Sequence, residues 1–212
     1  MVFASREAAG QVLGKSLEEQ GIQADLVLGL PRGGVVVAAQ VAHVLLLPLD
    51  VLIVRKIGHP SHREFAIGAM AENGIVLLDE AAIGRNPVLQ IELQQIIHEE
   101  KERLLEYEAR FRQARLDLTG KSILLVDDGL ATGATTEAAV LSARNQNAAR
   151  IIVTAPVAST SAVERLQKVA DEVSVLFVDP EFDAVGRYYQ EFKQTTDAEV
   201  MELLRAEAAR GA

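Results

Sequence analysis

The chain has 212 residues, no cysteine and a formal net charge of −9, with 49% hydrophobic and 24% charged residues. That length suits one domain, or one with an elaborated insertion, with a substantial core, and the apolar share argues against disorder. The missing cysteines exclude disulfides and thiolate zinc sites, and the acidic balance argues against a nucleic-acid surface.

In chain order, Ser5–Gln20 reads as an amphipathic helix, capped by Ser5 and stopped at Gly21. Arg6 and Glu7 interrupt the start before any apolar run, so no secretory leader is expected and the cytoplasm is the expected compartment. Asp25–Leu30 reads as a buried strand, Pro31–Gly34 as a loop, Val35–Val44 as a helix and Leu49–Val54 as a second strand. This order predicts a parallel sheet. Gln40, His43, Pro48 and Asp50 break the apolar span Val35–Val54; they are costly in lipid, so a core helix and core strand are expected, with no membrane partner. His43 is expected as a core residue and His98 as a surface one.

Asn73-Gly74 lies between the apolar runs 65–72 and 75–78, and both residues tolerate positive φ, which predicts a hairpin. Pro87–Arg115 reads as a long helix with Leu89, Leu93, Ile96, Ile97, Leu104 and Phe111 on one face. Three more strands are expected at Ser122–Val126, Ile151–Thr154 and Val173–Val178, the last two joined by a helix near Val163–Ala170. Thr196-Asp197-Ala198-Glu199 is a capping box that opens a last helix through Arg210. The expected fold is α/β: a parallel-centred doubly wound sheet in one domain, 1–212. A hairpin-plus-helix insertion occupies 58–118, and a small hood with the C-terminal region occupies 177–212. Whether the insertion covers a site or forms a homodimer contact is left open.

Chemistry concentrates where the third of these parallel strands ends. Ser122–Val126 runs into Asp127-Asp128, then into Gly129-Leu130-Ala131-Thr132-Gly133-Ala134-Thr135-Thr136, and Glu137–Leu141 opens a helical pattern. A loop of small residues lets backbone N–H groups approach a phosphate closely, and the helix start adds free donors and the positive dipole end. The paired carboxylates suit ribose hydroxyls or a divalent cation. An ordinary strand-to-helix turn with Thr135 or Thr136 as cap explains one Thr, but not two acids beside Gly129 and Gly133. Close glycines with no following Lys disfavour a Walker loop, and the glycine spacing disfavours a dinucleotide fingerprint.

This stretch resembles the phosphoribosyl-pyrophosphate (PRPP) motif of type I phosphoribosyltransferases: apolar residues, two acids, a Thr-Gly loop. Asp127–Thr136 fit it without a gap. The resemblance implies transfer of 5-phosphoribosyl from PRPP to a nitrogenous base, with Mg²⁺ as cofactor and pyrophosphate released. It implies that Asp127 and Asp128 are catalytic, holding ribose hydroxyls and metal directly or through water, and that Ala131, Thr132, Gly133, Ala134 and Thr135 cradle the 5′-phosphate.

The resemblance extends to Gly29–Gly34, where the family binds pyrophosphate with backbone amides and often a basic residue. Gly33 and Gly34 permit close approach, and Arg32 can fork onto phosphate oxygens. Arg55 and Lys56, after the second strand, are expected in the same crevice at the strand carboxyl ends. Gly58–Glu64 sits where the family has a mobile loop, and Arg63, ahead of His62 and His59, is expected to meet the departing pyrophosphate. A metal reading of the two histidines lacks a third ligand. The segment 178–189 resembles a base-binding hood in which Phe182 or Phe177 stacks on the base. Ala131 stands where 6-oxopurine enzymes carry an Asp, which argues against a hypoxanthine- or guanine-type mechanism. The alternative is a non-catalytic PRPP-binding regulator.

Overall fold

The computed structural model describes residues 1–79, 87–112 and 116–210, and the side chains of 62–66 and 87–89 lie outside the description. Five strands form a central parallel sheet: β1 (Leu26–Gly29), β2 (Leu49–Val51), β6 (Ser122–Val126), β7 (Arg150–Ser159) and β8 (Glu172–Asp179). Their order across the sheet is β2-β1-β6-β7-β8. β1 pairs with both β2 and β6, in registers Val27–Leu49 and Val27–Leu124. The middle strands are almost continuously apolar because helices cover both faces.

Alternation along the strands sorts the two cores. Val27, Leu124, Val126 and Ile152 meet Leu13 and Leu17 of α1 (Arg6–Glu19) and Val37 and Val41 of α2 (Gly33–Leu45). Leu26, Leu28, Ile123, Leu125 and Val153 meet Ala138, Ala139 and Ala143 of α4 (Ala134–Asn145), and Ala162 and Leu166 of α5 (Thr160–Leu166). This two-sided arrangement is the doubly wound sheet expected from the strand-and-helix order. The small residues of α4 bring its axis, and hence its N-terminus, close to the sheet edge.

The apolar run Leu49–Val54 is not one strand. The chain leaves the central sheet after Val51 and enters a second, antiparallel sheet at Val54. That sheet consists of β3 (Val54–His59), β4 (His62–Ala71) and β5 (Val76–Leu78), with β4 in the middle. Buried Glu72 clamps the crossing. Its carboxylate accepts from the Ile53 N–H at 3.0 Å and from Arg112 at 2.7 Å, and Arg112 also donates to the Val51 carbonyl at 2.8 Å. Burial pushes the Glu72 carboxyl upward, opposed by Arg112. The Asn73-Gly74 hairpin forms as expected, with Gly74 at φ 83°.

The long helix α3 spans Pro87–Phe111, and residues 113–115 of its expected range lie outside the described residues. Leu93, Ile96, Leu104 and Phe111 pack on Ile57, Ile67 and Met70 of the second sheet, on Val35 of α2 and on Val200 of α6 (Asp197–Arg210). The insertion therefore shares a core with the main body. Glu199 accepts from the Thr196 N–H at 2.6 Å, so the capping box forms. His43 corrects an expectation: it is exposed at the end of α2 and faces Arg210, because the apolar face of that helix turns the other way. Among the described residues no helix is long and apolar enough to cross a membrane.

Candidate functional site

Parallel strands deliver their carboxyl ends to one edge, where β1 and β6 open a cleft of about 240 Å³. It is lined by Leu30–Gly33 after β1, by Lys56 of β3, by the continuous run Asp127–Thr136 after β6 and by Val185. The acid loop is pinned to the sheet. Asp127 and Leu130 donate backbone N–H groups to the carbonyls of Thr154 and Val157, at 3.2 and 2.9 Å. The far side of the loop is braced from α5. The Ser159 hydroxyl donates to the Ala131 carbonyl at 2.5 Å while capping α5, and Arg165 donates to the Thr132 carbonyl at 3.2 Å. Gly133 takes φ 72° as N-cap of α4, a conformation that disfavours other residues. That turn places the start of α4, Ala134 to Thr136, on the cleft lining, a geometry suited to an anion.

The two acids sit in different surroundings. Asp127 is half-buried and accepts from the Asp128 N–H at 2.8 Å. Desolvation, then the neighbouring Asp128 charge, pushes its carboxyl up to about 8, opposed by Lys56 and Arg6. Asp128 is paired instead. Arg6 Nε donates to its Oδ2 at 2.7 Å, and the Tyr189 hydroxyl donates to its backbone carbonyl at 2.5 Å. Burial raises the Tyr189 hydroxyl further, so it stays a donor.

Gly33 and Gly34 are required by close packing against these acids. A Cβ on Gly33 would lie 2.1 Å from Asp128 Oδ2 and 2.7 Å from Arg6 Nε, and one on Gly34 would lie 2.9 Å from the Val126 carbonyl oxygen. The Pro31–Arg32 peptide bond in this loop is cis. Arg32 lines the cleft and stands 3.7 Å from Asp197 at the start of α6.

Most residues expected at one crevice are brought together: Arg32, Gly33, Lys56, Asp127, Asp128 and Ala131–Thr135. Gly34 packs directly behind Asp127. Arg55 is a correction. It lies inside strand β3, so side-chain alternation sends it to the opposite face from Lys56. There it donates to buried Glu100 at 2.8 Å and covers the Tyr107 ring. Arg103 also donates to Glu100, at 2.6 Å to Oε1, so Arg55→Ala removes the partner of Oε2 alone and should cost about 1 kcal/mol, with no loss of phosphate-ligand affinity. Lys56→Ala should do the reverse. Paired melting and ligand-titration curves check both.

Gly58–Glu64 forms no open loop: Gly58 and His59 end β3, Pro60 and Ser61 turn, and β4 starts at His62. Arg63 belongs to β4, and its side chain lies outside the described residues. Phe182 is absent from the cleft lining. It stacks on Tyr188 at 5.2 Å between centroids, and Phe177 also leans on Tyr188. Val185 of the hood reaches the acid loop instead, since a Cβ on Gly129 would meet it at 2.6 Å. Among the described residues no cluster of three or more His, Asp or Glu forms a ready-made metal cage.

Arg6 and Tyr189 were missed from sequence. The one local signal is an arginine at the first position of a helix, where the dipole disfavours a cation unless it has a partner.

The model of the phosphoribosyl transferase domain matches residues 2–186. The chain belongs to that family. This phosphoribosyl transferase domain is 40% identical over 208 residues to MT0597 of Mycobacterium tuberculosis, a protein named as a phosphoribosyl transferase. The match takes in 96% of this chain and 46% of that protein, so the chain spans about half the length of its curated relative. A ribose-phosphate pyrophosphokinase of Pyrococcus furiosus is 32% identical over 115 residues, 53% of this chain and 41% of that enzyme. Among solved structures, TT1426 from Thermus thermophilus superposes with a TM-score of 0.79 and 42% identity, covering 96% of this chain and 98% of that one.

Proposed function

We propose that this phosphoribosyl transferase domain moves the 5-phosphoribosyl group of PRPP to a nitrogenous base and releases pyrophosphate. The observation that carries the reading is the joining in one cleft of a carboxylate pair, a glycine-rich loop ending in a helix N-terminus, and two cations. A 5′-phosphate fits the loop Ala131–Thr135 and the first turn of α4. Asp127 and Asp128 face the ribose hydroxyls. The loop Pro31–Gly34, with Arg32 and Lys56, faces the pyrophosphate.

The bond between the anomeric carbon and pyrophosphate breaks, and its electron pair leaves with the pyrophosphate. The acceptor nitrogen forms the new bond to the anomeric carbon, and its proton passes to the departing pyrophosphate. Charge grows on the leaving oxygens, so cations fixed beside them stabilise the transition state more than the ground state. Positioning of a bound donor supplies much of the rest.

The donor set fits magnesium. It offers two adjacent carboxylates and no thiolate, and magnesium is commonly held by one or two carboxylates plus substrate phosphate and water. Asp127 and Asp128 would hold it, and when bound it would neutralise pyrophosphate charge. The cytoplasm and nucleotide salvage are the proposed setting.

The test is pyrophosphate release from PRPP and Mg²⁺ with adenine, hypoxanthine, guanine, xanthine, uracil and orotate offered singly. Release dependent on one base is the expected result, with 6-oxopurines disfavoured by Ala131. Release with none, at enzyme concentrations that saturate with PRPP, contradicts base transfer within this panel.

A further inference from the structure

We infer that Arg6 is a positioning residue for the sugar site, fixing the Asp128 carboxylate and tying it to the hood and the C-terminal segment. The inference rests on the reading of the cleft as a PRPP site.

The Arg6 side chain is 10% exposed and the Asp128 side chain 15%. Its guanidinium meets two segments distant in sequence, the acid loop and residues 192–193. Nε donates to Asp128 Oδ2 at 2.7 Å, Nη1 donates to the Lys193 carbonyl at 2.7 Å, and the plane lies over the Phe192 ring at 3.9 Å from the centroid. Tyr189, on which Phe192 stacks, holds the Asp128 carbonyl from the other side. The residues just before Arg6 are stitched to the same segment. Phe3 donates its N–H to the Tyr188 carbonyl at 2.8 Å, and Gln190 donates to the Phe3 carbonyl at 2.8 Å. Gly33 completes the enclosure, because only a residue without a Cβ fits against the Arg6–Asp128 pair.

Stability does not explain this pair. A buried ion pair often contributes no more than apolar residues of the same volume, since desolvating both charges offsets their attraction. What the pair does deliver is direction. With one carboxylate oxygen held, the plane of the group is set, and so is the other oxygen. The same guanidinium holds Phe192 and Lys193, and Tyr189 of that segment shares an apolar cluster with Val185, which lines the cleft. A planar fork does this where an ammonium cannot.

Calorimetric titration of Mg²⁺-PRPP into the wild type, Arg6→Gln, Arg6→Lys, Asp128→Asn and the Arg6→Gln/Asp128→Asn double variant tests it. Arg6→Gln should weaken PRPP at least tenfold, and Arg6→Lys at least threefold. The double variant should bind within twofold of Asp128→Asn alone, because Arg6 acts through that carboxylate. Arg6→Gln binding within twofold of wild type, or single losses that multiply in the double variant, would overturn the inference. If Arg6→Gln does not fold, the same cycle with Arg6→Lys decides. Asp128→Asn binding like wild type would instead sink the sugar-site reading, and the role of Arg6 with it.

Discussion

Gly33→Ala should cut PRPP turnover on the order of 100-fold while leaving a folded protein. The added methyl would stand 2.1 Å from Asp128 Oδ2 and 2.9 Å from its Cγ. In an open site a carboxylate would swing aside, but here Arg6 holds it, and Arg6 is itself wedged between Phe192 and the Lys193 carbonyl. Something in the site must shift. Overpacking of this kind costs about 1–3 kcal/mol. For a chain of this size that lowers Tm by roughly 2–4 °C per kcal/mol. The functional loss is larger, because an ångström-scale displacement of a group that positions substrate costs on the order of 100-fold in rate. Circular dichroism and pyrophosphate release, measured on the same preparation, separate the two. Wild-type turnover in the Gly33→Ala variant would show that Asp128 does not need its observed position.

Asp127→Asn should stabilise the protein at alkaline pH while removing PRPP binding. The Asp127 carboxyl titrates near 8 in the folded chain against an ordinary value of 3.8, mainly through desolvation and the Asp128 charge. Between those values the folded state keeps a proton that the unfolded state has lost. This group's contribution to stability therefore falls as pH rises from about 4, and the full cost is present above about 8. Asparagine removes that slope. The Tm difference, variant minus wild type, should grow from pH 6 to pH 9. In the wild type PRPP binding should strengthen over the same range and release protons, because a carboxylate that holds a cation must be ionised. A Tm difference flat with pH would mean that Asp127 is not strained in this way. Stability gained at the cost of activity is the usual mark of a strained functional group.

The acid motif was legible because its chemistry is local: Asp127 to Thr136 are consecutive, and the strand, loop and helix around them follow from the same residues. The two-faced core was equally legible, since the strands read as apolar runs and the helices as periodic ones. Long-range partners were not. Arg6 and Asp128 are 122 positions apart, and nothing near Arg6 names its partner. The break between β2 and β3 is invisible in Leu49–Val54 because the residues that clamp it, Glu72 and Arg112, lie far along the chain. Arg55 and Lys56 looked equivalent as residues beyond a strand, but they lie within one, where alternation separates them. Phe182 read as an aromatic for a ligand, but it stacks on Tyr188 and stands outside the cleft lining.

The central claim is that the cleft at Asp127–Thr136 binds PRPP through Asp128. Calorimetric titration of PRPP with Mg²⁺ into the wild type and into Asp128→Asn tests it most directly, with melting curves on both. The account predicts saturable one-site binding to the wild type, weakened at least tenfold in Asp128→Asn, with both proteins folded. Absence of binding to the wild type, or equal affinity in the two, would contradict it.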